Sequence, residues 1–224
     1  MVDTVLELSG LRVRYGPLEA LHGVSLTVAE GEVAAVVGRN GAGKTSLLRA
    51  IAGTVKATEG RILRQGSDLR HAPIGGRAAR GVMLIPDDGG VFRTLTVREN
   101  LRLFAGDAPL DPAVDAFPQL SALMNRRALL LSGGEQQMLA LSRALLTPWR
   151  LLLVDELSHG LAPVLAVRLY AVLAGLAAAH ADRAVLLAEP DPHPVLALAG
   201  RVHVLRRGEI AAATAPEDFD PATL

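Results

Sequence analysis

Gly38-Arg39-Asn40-Gly41-Ala42-Gly43-Lys44-Thr45 decides how this chain folds. The spacing matches a phosphate-binding loop, in which glycines let backbone N–H groups close on phosphate oxygens. Such a loop must join a buried strand to the start of a helix. Both flanks comply: Val33–Val37 is a continuous apolar run, and Lys44–Ala52 has helical spacing. An incidental lysine after a glycine turn would need neither. Lys44 then brings a positive charge to the β- and γ-phosphates, and the Thr45 hydroxyl ligates Mg²⁺. Ser46 stands beside them at the positive end of the helix dipole. The loop alone admits kinases, GTPases and many ATPases, so the nucleotide is legible here and the reaction is not.

Working outward, residues 5–28 alternate as short antiparallel strands broken by Gly10, Gly16 and Gly23, and Tyr15 lies in that stretch. Residues 61–64 and Val82–Ile85 read as further strands, the second stopped by Pro86. Residues 95–130 are helix-compatible but broken at Gly106, Pro109, Pro112 and Pro118, which predicts a small helical insert, approximately 87–131. A helix from Ser132 to about Leu146 follows, then a buried strand over 151–154, a helix over 164–180 and a strand over 184–188. Residues 202–205 and 210–213 flank a turn at Gly208 and predict a closing hairpin. Alternating strand and helix means a mainly parallel sheet covered on both faces, so the fold class is α/β. The whole of 1–224 is expected to be one domain.

Composition narrows the function classes. Lysine plus arginine equals aspartate plus glutamate at 23 each, so there is no basic field of the kind that draws a protein onto nucleic acid. No cysteine occurs, which excludes disulfides, thiolate metal sites and a cysteine nucleophile and agrees with a reducing compartment. The most apolar stretch, 161–181, carries Pro163, Arg168 and His180 and is no bilayer span. Met1, Val2, Asp3 and Thr4 do not begin a secretory signal, so a cytoplasmic location is expected.

A second motif, Leu131-Ser132-Gly133-Gly134-Glu135-Gln136-Gln137, precedes Leu151-Leu152-Leu153-Val154-Asp155-Glu156, a buried strand that delivers two carboxylates to its C-terminal end. In an open α/β sheet, ligands bind at that edge. Ser132 with Glu135 is also a capping box, which does not account for two adjacent glycines. With these residues the chain resembles the ATP-binding cassette family. The resemblance implies a P-loop cassette with a mixed, mainly parallel core, an N-terminal antiparallel β subdomain and a small helical subdomain. It implies that ATP is sandwiched between two chains, bound by one loop and faced by the other subunit's Ser132, Gly133, Gly134 and Glu135. It implies that Asp155 holds Mg²⁺, that Glu156 polarises the attacking water, and that Tyr15 stacks on adenine. Lys44, Ser132 and Glu156 become the catalytic candidates.

Finer detail is similar to one branch. Ser158, Gly160, Leu161, Ala162 and Pro163, together with Val91-Phe92, Leu95-Thr96-Val97 and Glu99-Asn100-Leu101, look like the ATPases of branched-chain amino acid importers. The partners implied are integral-membrane permease subunits, a second ATPase as homodimer or heterodimer, and a solute-binding protein, with the chain peripheral on the inner face of the membrane.

Four positions depart from the family pattern. Asp87 stands where the loop after the Val82–Ile85 strand usually carries glutamine or glutamate contacting Mg²⁺ and water, and Pro190 where a switch histidine is usual. Proline has no side-chain hydrogen-bonding group; His193 is a candidate substitute. Leu157 and His159 replace a proline and a leucine, neither expected to touch the phosphate chemistry. Hydrolysis is therefore expected to be intact in its core but slow or partner-dependent. The alternative is a catalytically weak regulatory subunit paired with an active homologue. A soluble cassette of DNA repair or translation would carry a coiled-coil insert, a second cassette or a basic surface, and none is present.

Overall fold

The alternation in 5–28 builds two antiparallel strands of 12 residues each, β1 (Thr4–Tyr15) and β2 (Leu18–Ala29). The computed structural model describes residues 3–224, so Met1 and Val2, half of the stretch read for a secretory signal, lie outside the described residues. Gly10 and Gly23 do not break the strands as expected. The ladder shifts register between Leu8 and Leu11, so the strand absorbs Gly10 as a bulge and continues. Only Gly16 lies in the turn between β1 and β2.

β3 (Val33–Val37) leads into α1 (Lys44–Ala52), with the boundaries read from the sequence. β4 (Ala57–Arg64) runs four residues further toward the N-terminus than expected and pairs with β1; β5 (Ser67–Asp68) closes that sheet in the order β2-β1-β4-β5. A five-residue helix, α2 (Ile74–Ala78), precedes β6 (Val82–Ile85). The insert contains α3 (Val97–Ala105), α4 (Asp111–Ala116) and 3-10 turns at Pro118–Leu123 and Ala128–Leu130. α5 (Gly133–Leu146), β7 (Leu151–Asp155), α6 (Pro163–Ala178), β8 (Ala184–Glu189) and the four-residue α7 (His193–Leu196) complete the alternation. β9 (Arg201–Arg206) and β10 (Glu209–Thr214) form the expected hairpin.

The second sheet has the order β10-β9-β3-β8-β7-β6, parallel except at β10. Its central strands are apolar throughout because both faces are covered. Ala34, Val36, Leu151, Leu153 and Leu186 pack toward α1 and the four-stranded sheet, while Ala35, Val37, Leu152, Val154 and Leu187 pack toward α5, α6 and the insert. Two hydrophobic layers, each burying one face of the central strands, make this sheet the rigid support of the site. Among the described residues no helix is long and apolar enough to cross a membrane.

Candidate functional site

The C-terminal ends of β3, β7, β8 and β6 lie side by side, and the polar residues read from the sequence cluster along that edge. After β3 the chain turns through Gly41 (φ 82°) and Gly43 (φ 111°) into α1. Gly43 is required twice over: its backbone is left-handed, and a Cβ there would stand 2.8 Å from Ala20 O and 2.9 Å from Leu21 Cδ2. Lys44 is buried, and its Nζ donates to Gly38 O at 2.8 Å and Arg39 O at 3.4 Å while standing 3.7 Å from Glu156 Oε1. The lysine thus spans the loop and the carboxylate edge.

A cleft of about 310 Å³ opens beside it, lined by Asn40, Gly41, Gly43, Lys44, Thr45, Ser46 and Glu156, and by Tyr15, Leu18 and Ala20 from the antiparallel sheet. Tyr15 is partly exposed, and its hydroxyl donates to Ser46 Oγ at 3.3 Å. The structure therefore brings Tyr15 to the loop. Arg39 and Ala42 line the opposite side of the loop, toward Leu205 and Arg207.

Asp155 is buried, with Oδ1 lacking a hydrogen-bond partner. Burial raises its pKa to about 6; the Thr45 side chain and Lys44 pull it down, while Asp87 and Glu156 push it up. A buried carboxylate with one orphaned oxygen and the Thr45 side chain beside it suits a hard cation. Among the described residues no three acids or histidines cluster as a metal cage. That is the donor set Mg²⁺ uses with nucleotides: one carboxylate, one hydroxyl, phosphates and water. Glu156 follows at φ 49°, left-handed and unfavourable for a glutamate, and its N–H donates to Ala188 O at 2.9 Å.

Ser132 is the N-cap of α5. Its Oγ accepts from Glu135 N–H at 3.3 Å, and the Glu135 carboxylate accepts from Ser132 N–H at 2.7 Å. Ser132, Gly133, Gly134 and Glu135 do not line the cleft of their own loop. The two glycines differ: a Cβ on Gly134 would overlap Leu165 Cδ2 on α6, whereas one on Gly133 would meet nothing within 4 Å.

A family model described as "ABC transporter" matches residues 21–159, from β2 through the phosphate loop and α5 to the Asp155-Glu156 edge. The chain belongs to the ABC transporter family. Among its curated relatives is the high-affinity branched-chain amino acid transport ATP-binding protein BraG of Pseudomonas aeruginosa, 36% identical over 92% of this chain and 91% of that protein. The iron(III) import ATP-binding protein FbpC of Mesorhizobium japonicum is 36% identical over 96% of the chain and 61% of its own length. The lipopolysaccharide export ATP-binding protein LptB of Haemophilus influenzae is 28% identical over 96% of the chain and 92% of its own length. The ADP conformation of MJ1267, an ATP-binding cassette of an ABC transporter, superposes with a TM-score of 0.83 at 27% identity, covering 98% of this chain and 96% of that one. This chain is accordingly an ATP-binding, ATP-hydrolysing subunit of an ABC transporter, with the expected cassette fold.

In this ABC ATPase the loop after β6 also reaches the edge. Asp87 stands 3.5 Å from Arg49 Nη2 on α1, and its carbonyl accepts from Gln137 Nε2 on α5 at 3.4 Å. Arg143 of α5 is buried and donates to Gly90 O at 2.9 Å and Gly89 O at 2.5 Å, which fixes that loop. His193 is the candidate substitute for the side chain missing at Pro190. It opens α7, where its N–H donates to Asp191 Oδ1 at 3.0 Å, and among the described residues its ring makes no hydrogen bond or ion pair with the site. His159, not expected to touch the phosphate chemistry directly, reaches it through a neighbour: its Nδ1 lies 3.5 Å from Glu156 Oε2. A tight turn, with His159 N–H donating to Glu156 O at 3.1 Å, carries the imidazole back.

Sequence reasoning passed over Glu189. It is buried at the end of β8, with its pKa raised by burial against the pull of Tyr170 and Ser158. Tyr170 hydroxyl donates to Oε1 at 2.6 Å, and Ser158 donates from N–H to Oε1 at 3.3 Å and from Oγ to Oε2 at 3.2 Å. The signal was available: an acid closing the apolar run of 184–188, at the sheet edge where Asp155 and Glu156 close theirs.

Proposed function

We propose that this subunit powers solute import through a separate membrane permease, and that it binds ATP with Mg²⁺ between two ATPase chains. The convergence of Lys44, Thr45, Asp155 and Glu156 on one sheet edge supports the chemistry. Residues 1–224 act as one ATP-binding domain. Thr45 and Asp155 would hold Mg²⁺, which would supply positive charge against the charge developing on the phosphates, and Asp87 acts electrostatically on the same carboxylate. Lys44 grips the phosphates, loop N–H groups orient them, and Tyr15 covers the base. Glu156 orients the attacking water and takes up its proton.

Ser132, Gly133 and Gly134 lie outside their own cleft, which supports a role against the nucleotide of a second chain. An apolar cleft of about 610 Å³, lined by Ile74, Met83, Leu84, Phe92, Phe104 and Trp149, supports permease docking beside the loop that follows β6. Ile74 and Phe92 are among its exposed apolar groups. The solute reading is branched-chain amino acids, on the similarity to BraG and on the 158–163 run; FbpC and LptB show how far related ATPases diverge in cargo. A solute-binding protein would deliver the substrate, and the chain would sit on the inner face of the membrane through its permease.

The regulatory-subunit reading gains no support, because the loop lysine, the hydroxyl and both edge carboxylates are all in position. The deciding experiment copurifies the chain with its membrane subunits and measures Mg²⁺-dependent ATP turnover and labelled leucine uptake in vesicles. Uptake driven by ATP and lost in Glu156→Gln is expected. Turnover without leucine uptake would remove the solute assignment, and equal turnover with and without the permease would remove partner dependence.

A further inference from the structure

Each carboxylate oxygen of Glu156 meets a different partner: Oε1 lies 3.7 Å from Lys44 Nζ and Oε2 lies 3.5 Å from His159 Nδ1. We propose that His159 is the positioning residue for Glu156, holding its carboxylate in line for the attacking water when Lys44 turns to the phosphates. This deepens the ATPase reading and rests on it.

The argument begins with what Lys44 gives up. An ammonium committed to the β- and γ-phosphates cannot also fix Glu156. Among the described residues, His159 Nδ1 is then the close side-chain partner that remains to the Glu156 carboxylate. Without it the carboxylate would hold its direction only through its own backbone, at φ 49°.

The turn that carries His159 is pinned on both sides, so its approach is built into the fold. On one side, His159 N–H donates to Glu156 O at 3.1 Å. On the other, both donors of Ser158 are bound by the buried Glu189 carboxylate, itself held by the Tyr170 hydroxyl at 2.6 Å, and Leu161 N–H donates to Ser158 O at 3.1 Å. β8 thus anchors the turn, and the turn presents the imidazole to the end of β7. β8 offers no competing group at the next position, because Pro190 has no side-chain donor or acceptor. The imidazole is 70% exposed, so a substitution there leaves the core untouched.

The test is kinetic, on the full chain with Mg-ATP. Slowing of wild-type turnover by Glu156→Gln secures the hydrolytic site independently of His159; turnover that Glu156→Gln leaves unchanged would overturn both readings. With the site secured, His159→Leu is expected to lower kcat roughly ten- to a hundred-fold, the range for losing a group that orients a functional side chain. KM and the affinity for a fluorescent ATP analogue should stay within about two-fold. His159→Gln, whose amide can donate over a similar reach, should recover most of kcat. In single-turnover measurements on Glu156→Gln, adding His159→Leu should slow the residual rate no further, because the two act as a unit. An unchanged kcat in His159→Leu, a loss carried by KM, no recovery in His159→Gln, or additive losses in the double variant would each overturn the proposal.

Discussion

Gly133 and Gly134 are neighbours in the sequence and opposites in the structure, because a methyl group would find open space at one and the Leu165 side chain at the other. Gly134→Ala forces the partly buried Leu165 side chain to turn away, so it should be less stable than Gly133→Ala by about 0.5–1.5 kcal/mol, read from urea unfolding. Gly133→Ala should leave stability within ~1 kcal/mol of wild type or raise it, since alanine is the better helix former. Its loss of ATP turnover would then report the close approach of a phosphate rather than a folding defect. Asp155 makes a second prediction at this scale. Its pKa, raised from 3.8 to about 6 by burial, means the folded chain binds the proton more tightly than the unfolded chain. The contribution of Asp155 to the stability of the nucleotide-free protein should thus be greatest below that window and be lost as pH rises from about 4 to about 6. The loss should amount to up to ~3 kcal/mol and be absent in Asp155→Asn, as followed by urea unfolding across pH. The residues of the loop and the β7 edge were legible in the sequence because their chemistry is written in consecutive positions. Glu189 and His159 were not, because their roles depend on which side chain a turn carries back and on which strand lies next in the sheet.

At the scale of elements, legibility followed burial and capping. α1 and β3 are bounded as read because an unbroken apolar run and a glycine loop leave no other register. α5 begins where Ser132 and Glu135 cap each other, and Ser132→Ala should cost about 1 kcal/mol by thermal unfolding. The helices α2 and α7, with five and four residues, are too short to show periodicity, and the last part of the broken helical insert, 118–130, forms two short 3-10 helices. Bulges hid the true length of β1 and β2, since a glycine at positive φ reads locally as a break. Arg143 shows how one element fixes another. Burial lowers its pKa to about 10, which leaves it charged at neutral pH, and its guanidinium binds Gly89 O and Gly90 O and covers the Phe104 ring at 5.0 Å. Arg143→Met leaves both carbonyls unpaired, at a cost of about 2–3 kcal/mol. Hydrogen exchange in 89–92 should rise ahead of exchange in β6, because the strand keeps its ladder to β7.

Over the whole molecule, one rigid sheet separates two kinds of surface. Its C-terminal edge gathers the phosphate loop, Asp155 and Glu156, while the start of α5 presents Ser132 and Gly133 elsewhere. A chain that carried both halves of a site without joining them would need a second ATPase chain to complete it. Mixing variants tests that arrangement directly. Lys44→Ala removes the phosphate grip and Ser132→Arg blocks the helix start, so each variant alone should turn over ATP at background. In a mixed dimer, one site combines both defects, and the other pairs an intact loop with an intact helix start. Equal amounts re-associating at random put half the molecules in mixed dimers with one good site in two, so turnover should return to about a quarter of wild type. Recovery requires the loop of one chain to work with the helix start of the other, and a single-chain site would give none. Turnover measured against mixing ratio should peak at equal amounts and vanish at either end. A flat background across the series would refute the shared site and place Ser132 in a purely capping role.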